Sequence, residues 1–188
     1  MKKLYFVIAL MFAVVSGFAQ EIKTPAEGKA IVYFVRTSGL GALINFKYFD
    51  GEKYLGKFNY GKYLVYECDP GVHLFWAKSE NIAYLEADLR ASQVYIVNAE
   101  PQMGAIKAGV HLAPLDKTDK RYEKQEKRVL ENIAKSKLYV LTDEDKTDAE
   151  EDLAGLVTRA MEKYRKNKEK GKELDKLTPE MYFEKGTE

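Results

Sequence analysis

The chain has one cysteine, one tryptophan and two histidines, and three of these four side chains fall in the stretch KYLVYECDPGVHLFWAK, residues 62–78. Cys68, His73 and His111 would supply three donors to a zinc ion. Such sites need three or four nitrogen or sulfur ligands in tetrahedral array. The closely spaced donor pairs that usually mark them are missing, so no metal is expected. A Cys68 thiolate with a histidine base would make a nucleophile, but Cys68 lies in no local signature for one and needs a cationic neighbour to lower its pKa. The serines after the first 19 residues, Ser38, Ser79, Ser92 and Ser136, sit in no nucleophile-elbow pattern. Glu86 and Asp88, two apart on a strand, share a face and could act as acid and base in a cleft; their alternation with apolar residues reads as a solvated surface. No catalytic residue and no cofactor are expected, and the chain reads as a non-enzyme.

Binding is the chemistry left. SGLGALI, residues 38–44, has the glycines of a phosphate loop but lacks the third glycine and the following helix of a dinucleotide fold. Arg36, Ser38, Gly39 and Gly41 are candidate ligand contacts, with Arg36 facing an anion, because loops on rigid sheets often carry binding. Tyr48 and Tyr54, together with Tyr60 and Tyr63, are candidates for stacking on a sugar ring.

The elements that must position these residues are strands. Residues 20–115 hold 14 of the 19 aromatics that follow the first 19 residues, and 20 charges; residues 116–188 hold five aromatics and 37 charges. In the first part, short apolar runs alternate with turn residues, as in a sandwich or barrel. AIVYFVR is apolar on both faces, suiting a central strand. LINFKYFD puts Ile44, Phe46 and Tyr48 on one face, and Asp50-Gly51 reads as a tight hairpin turn with both residues at positive φ. KYLVYEC and VHLFWAK are read as the two strands of a hairpin, reversed at Asp69-Pro70-Gly71 by a type II turn. IAYLEADL turns Ala83, Leu85, Ala87 and Leu89 inward. QVYIVNA and GAIKAGVHLAPL follow, with a turn expected at Glu100-Pro101-Gln102-Met103. The expected fold is mainly β: an antiparallel β-sandwich of about eight strands at 20–115, followed by a charged α-helical C-terminal extension at 116–188.

In that extension, Val129, Leu130, Ile133 and Ala134 recur at helical spacing from Tyr122 onward. A second helix is expected from a capping box at Thr147-Asp148-Ala149-Glu150, with Ala149, Leu153, Leu156, Val157, Ala160 and Tyr164 as its apolar face. At least one helix should pack on the sandwich or on a partner. The stripe fades past Asn167, and a mobile C-terminal end is expected there.

MKKLYFVIALMFAVVSGFAQ has a basic start, a short apolar run and small residues at Gly17 and Ala19, the layout of a secretory signal over residues 1–19. The run is shorter than the ~20 residues of a spanning helix, and no transmembrane segment is expected after cleavage. Without Lys2 and Lys3, 28 basic residues face 29 acidic ones, a net charge of −1. That balance gives no reason to expect nucleic acid or an anionic membrane as a partner. Cys68 has no second cysteine for an internal disulfide and is expected to be buried.

Arg36, the loop SGLGAL, Asp50-Gly51, Pro70-Gly71-Val72-His73 and the strand QVYIV together resemble a family of small bacterial envelope proteins, the domain of unknown function 2846 family. Its pattern runs from a strand ending in arginine, through a Gly-rich loop and hairpin, to a PPGxH turn and a later YYV strand; here Asp69 stands where a second proline is common. The resemblance covers residues 29–113 and implies an immunoglobulin-like or transthyretin-like β-sandwich outside the cytoplasm, with no known activity. Taken with the signal, it leads to an expected periplasmic or secreted, non-enzymatic envelope protein. Such a protein would act by binding or scaffolding, through an unknown envelope protein or self-association along the helical tail. The alternative is a glycan- or small-ligand-binding sandwich, and behind it a hydrolase with an unfamiliar site.

Overall fold

The computed structural model describes residues 22–103 and 108–184; the leader read at 1–19 lies outside the described residues. Strand β1 (Ala30–Val35) is the centre of the first sheet, which also holds β4 (Lys62–Cys68), β7 (Val94–Met103), β8 (Ala108–Pro114) and β9 (Lys137–Leu138), in the order β8-β7-β1-β4-β9. The second sheet holds β2 (Phe46–Asp50), β3 (Lys53–Phe58), β5 (Gly71–Lys78), β6 (Ile82–Leu89) and β10 (Asp175–Leu177), in the order β10-β6-β5-β2-β3. The fold is mainly β and sandwich-like, with two helices, α1 (Tyr122–Lys135) and α2 (Asp143–Glu169).

Period-2 alternation places the core. Ala30, Val32 and Phe34 of β1, Tyr95, Val97 and Ala99 of β7, Phe46 and Tyr48 of β2, Phe75 and Ala77 of β5, and Leu85, Ala87 and Leu89 of β6 pack between the sheets. The opposite face of β1, Ile31, Tyr33 and Val35, is also buried, under Val129 and Ile133 of α1. On the outer face of the second sheet, Phe49, Trp76 and Tyr84 lie beneath Leu156 and Ala160 of α2. The molecule is thus layered helix, sheet, sheet, helix. Burial of apolar area on three interfaces holds the layers together, at about 25 cal/mol per Å².

Several expectations change. The sheets are mixed rather than antiparallel: β1 runs parallel to β7, β9 to β4 and β10 to β6. There are ten strands among the described residues, because the extension supplies an edge strand to each sheet. Residues past Asn167 are built into the fold: Leu177 is buried between the sheets, with Met181 and Tyr182 against the same core. KYLVYEC and VHLFWAK are not a hairpin; β4 and β5 belong to different sheets, so Asp69-Pro70-Gly71 carries the chain from one sheet to the other. Gly71 does take the positive φ that the turn asks of it, +113°. At the β2–β3 hairpin only Gly51 has positive φ, +54°. Asp50 pairs with Lys53, so the turn's central residues are Gly51-Glu52, and positive φ at the first of these is the type II′ requirement.

Strand β7 passes straight through Glu100-Pro101, paired with β8. Its pairing with β1 extends only to Asn98, so Pro101 lies where the lost N–H faces no second neighbour. Helix α2 starts earlier than expected, capped by Thr142, whose Oγ1 accepts from Asp145 N while Asp145 accepts from Thr142 N. The side chain of Ala149 lies outside those described. On α1 the buried positions are Val129, Asn132 and Ile133, with Leu130 and Ala134 exposed.

Candidate functional site

Cys68, His73, His111 and Trp76 go separate ways. The Cys68 thiol is buried, and burial, followed by the charges of Asp50 and Asp69, pushes it up to about 12; a thiol held there is not a thiolate nucleophile. His73 sits at the opposite end of the same corner with Nδ1 2.7 Å from Asp50 Oδ2 and Nε2 2.9 Å from the Asp69 carbonyl oxygen. Two acceptors on two ring nitrogens are satisfied together only by an imidazolium, and the hydrogen bond to Asp50 raises the His73 pKa. Tyr66 donates to the same carboxylate, at 3.1 Å. His111 instead joins the two sheets' edges, Nε2 3.1 Å from Asp175 of β10 and Nδ1 3.8 Å from Glu100. Trp76 stacks on Phe49 at 3.8 Å under α2 and donates to the Gly51 carbonyl. Among the described residues no three His, Cys, Asp or Glu side chains are grouped as a metal site.

The ligand candidates are equally divided. Arg36 is fully buried. Its Nη1 donates to the Ile44 carbonyl at 2.6 Å, its Nη2 to those of Leu40 and Gly41 at 2.9 and 2.7 Å, and the guanidinium lies 4.2 Å over the Phe46 ring. It braces the Gly-rich loop from inside rather than facing solvent, and burial lowers its pKa. Gly41 has φ +59° and a Cβ there would lie 3.0 Å from Ile44 Cδ1, so this brace needs glycine. Ser38 Oγ caps the Leu40 amide at 3.3 Å, and Gly39 lies under the Tyr60 ring. These four share one loop, while Tyr48 and Tyr54 lie elsewhere. Tyr48 stacks on Phe58 between the sheets, its hydroxyl without a partner among the described residues, and burial raises its pKa. Tyr54 is half-buried against Phe49, on the α2 side of the second sheet. Of the four tyrosines, Tyr60 alone is exposed.

A groove not foreseen runs beside α1. Its first part, about 300 Å³, lies between the helix and the ends of β7 and β8, lined by Thr37, Asn98, Glu100, His111, Lys124 and Arg128 among others. Its second part, about 200 Å³, shares Thr37 and Arg128 and continues past Tyr60, Glu131 and Asn132 to Lys135. Spacing on the helix aims Arg121, Lys124 and Arg128 the same way. Arg121 is spent on Asp119, 3.0 Å away, and holds that carboxylate down to about 2. Lys124 and Arg128 make no ion pair with any described residue. On the strand side, Asn98 accepts from Thr37 N at 3.1 Å and donates to Glu100 at 3.0 Å. In the groove's second part Asn132, almost wholly buried, donates to the Arg36 carbonyl at 3.0 Å and leaves its Oδ1 without a partner among the described residues. A buried acceptor left unpaired costs about 1–3 kcal/mol.

The helical spacing of Lys124 and Arg128 was visible in the chain. What they face was not, because it depends on α1 crossing the end of the first sheet. A larger hollow of about 590 Å³ lies on the outer face of the second sheet between Val72, Leu74, Tyr164 and Lys176, and is mostly apolar in its lining. Compared with family models, curated proteins and solved structures, the chain matches none.

Proposed function

We propose that this is an exported, non-enzymatic binding module whose ligand is a small acidic saccharide held in the groove along α1. The observation that carries this is Asn132, a groove residue whose buried Oδ1 has no partner among the described residues, beside Arg128, which has no ion-pair partner among them, and the exposed Tyr60 ring. The three groups match three parts of one ligand class. Lys124 and Arg128 suit a carboxylate, with Arg able to bind it bidentately. Asn132 Oδ1 and Glu100 accept from sugar hydroxyls, which are donors as well as acceptors. Tyr60 offers an aromatic face to the ring. The rigid sheets on one side and the helix on the other pre-organise the lining, which limits the ordering cost of binding.

Export rests on the leader-like composition of residues 1–19. The tail-mediated scaffold is the weaker reading, because the apolar stripes of α1 and α2 are covered by the sheets.

Titration of the ¹⁵N-labelled protein with glucuronic acid and with trigalacturonate, using glucose as the neutral control, tests the proposal. Saturable shifts at Thr37, Asn98, Arg128 and Asn132 are expected for the acids. With Lys124 and Arg128 both changed to alanine, affinity should fall at least about tenfold, roughly one charge-assisted contact. Equal binding of glucose, or acid binding unchanged in the double variant, overturns it.

A further inference from the structure

The loop that Arg36 braces presents apolar side chains outward. Leu43 is 88% exposed, Leu40 48% and Tyr60 42%. These three are neighbours: the Tyr60 amide donates to the Ala42 carbonyl at 3.3 Å, and Gly39 lies against the Tyr60 ring. Single exposed leucines need no explanation. Two on one tip, held by a fully buried guanidinium that satisfies three loop carbonyls and by the Gly41 to Ile44 turn, are a different matter. A flexible loop would fold its leucines down; this one is propped open.

The surroundings of the tip carry its second feature. Lys62 and Lys137 are register partners on β4 and β9, and the Lys137 amide donates to the Gly61 carbonyl beside Tyr60. Lys135 and Arg128 line the second part of the groove together with Tyr60. All four cations are exposed. Glu131, 3.9 Å from Lys135, and Glu100 and Asp119, which line the first part of the groove with Arg128, offset part of that charge. The whole chain is nearly neutral, so this basic fringe is a local feature of this end of the sandwich.

We propose that this end docks on an anionic lipid surface, Leu40, Leu43 and Tyr60 entering the headgroup region while Lys62, Lys135, Lys137 and Arg128 face lipid phosphates. The combination is that of an interfacial anchor, apolar area plus cations, in which neither part suffices alone. Two exposed leucines on one loop tip fit a soft lipid surface. The mainly basic fringe fits anionic headgroups, each cation near such a surface adding about fivefold to binding. The inference does not rest on the saccharide proposal: Tyr60, Lys135 and Arg128 border both, but Leu40, Leu43, Lys62 and Lys137 line neither part of the groove, so the two can fail separately.

The test is co-sedimentation of the chain from Gln20 onward, which contains both sheets and both helices, with vesicles of equal phosphatidylglycerol and phosphatidylcholine or of phosphatidylcholine alone. The expected result is binding to the anionic vesicles that weakens strongly between 0.1 and 0.5 M salt, roughly a Debye length of 10 Å shrinking below 5 Å. Leu40→Ser with Leu43→Ser should lower it about tenfold or more. Lys62→Gln with Lys137→Gln should lower it about tenfold or more, and both pairs should keep the parent's unfolding midpoint because the side chains are exposed. No binding to the anionic vesicles, equal binding to neutral ones, or binding that ignores the leucine pair overturns the proposal. So does a concentration-dependent dimer of the parent that the leucine pair abolishes, which would make a second copy the occupant.

Discussion

Gly56 has φ +144°, in a backbone region that residues with side chains rarely enter, and it lies opposite the irregularity in β2. Tyr48 pairs with Gly56 and Phe49 with Tyr54, so Leu55 is an extra residue on β3 and the strand bends there. The bend makes room for Tyr139, from the segment joining β9 to α2, whose ring lies directly on Gly56. A Cβ at Gly56 would overlap the ring at Cε1 and sit 2.9 Å from Cζ. Tyr139 is buried among the core residues, and its hydroxyl accepts from the Lys57 amide at 3.3 Å. Gly56→Ala therefore carries two costs. The backbone share is about 1–3 kcal/mol for a side chain in that region. The displaced ring forfeits much of a burial worth about 1.5–3 kcal/mol and a hydrogen bond worth about 0.5–1.5 kcal/mol. The expected loss is about 3–6 kcal/mol, a large part of the ~5–15 kcal/mol that holds a typical domain folded. Urea unfolding followed by the fluorescence of Trp76, which is buried under α2, measures it. In a Tyr139→Ala background the same change should cost only the backbone share, leaving a coupling of about 2–4 kcal/mol between the two positions. Equal costs in the two backgrounds, or a cost under about 1 kcal/mol in the parent, would show that the ring does not depend on the missing Cβ.

Two further expectations concern polar groups. Arg36→Met removes the donor to the Leu40, Gly41 and Ile44 carbonyls, which should cost about 2–5 kcal/mol and speed amide exchange across residues 40–44; unchanged exchange there would refute the brace. For His73, the bond to Asp50 raises the folded-state pKa above an unfolded value near ~6.5. Its stabilisation is therefore complete below that unfolded value and is lost as pH rises through the raised folded one. The stability difference between the parent and His73→Gln should narrow across that interval, measured as denaturation midpoints at successive pH values, and a difference that widens with pH contradicts the assignment.

Much of the local structure could be read from residue order. The two-faced burial of β1 follows from AIVYFVR, the inward set of β6 from IAYLEADL, and the start of α1 at Tyr122 from its periodicity, because each depends on side chains a few residues apart. Turn chemistry was legible by type but less so by position: Gly51 and Gly71 take positive φ as read, whereas Pro101 lies inside a strand, where only the length of the neighbouring β1 decides that its missing N–H is harmless. The capping box that the residues place at Thr147 lies at Thr142, with aspartate in the place of the usual glutamate.

Residue order alone settled the eight strands of residues 20–115, the two helices of the extension and that two sheets would share an apolar core, since alternation and helical periodicity are set by backbone geometry within one element; it did not mark the short edge strands β9 and β10. Tertiary structure alone decided that the corner at Pro70 joins two sheets instead of two strands of a hairpin, that the charged extension closes both outer faces, and that Arg36 turns inward. It also decided that Lys124, Arg128 and Asn132 border one groove with Thr37 and Tyr60. These outcomes depend on which surfaces meet across long stretches of chain, and a side chain carries no local mark of the partner that will bury it.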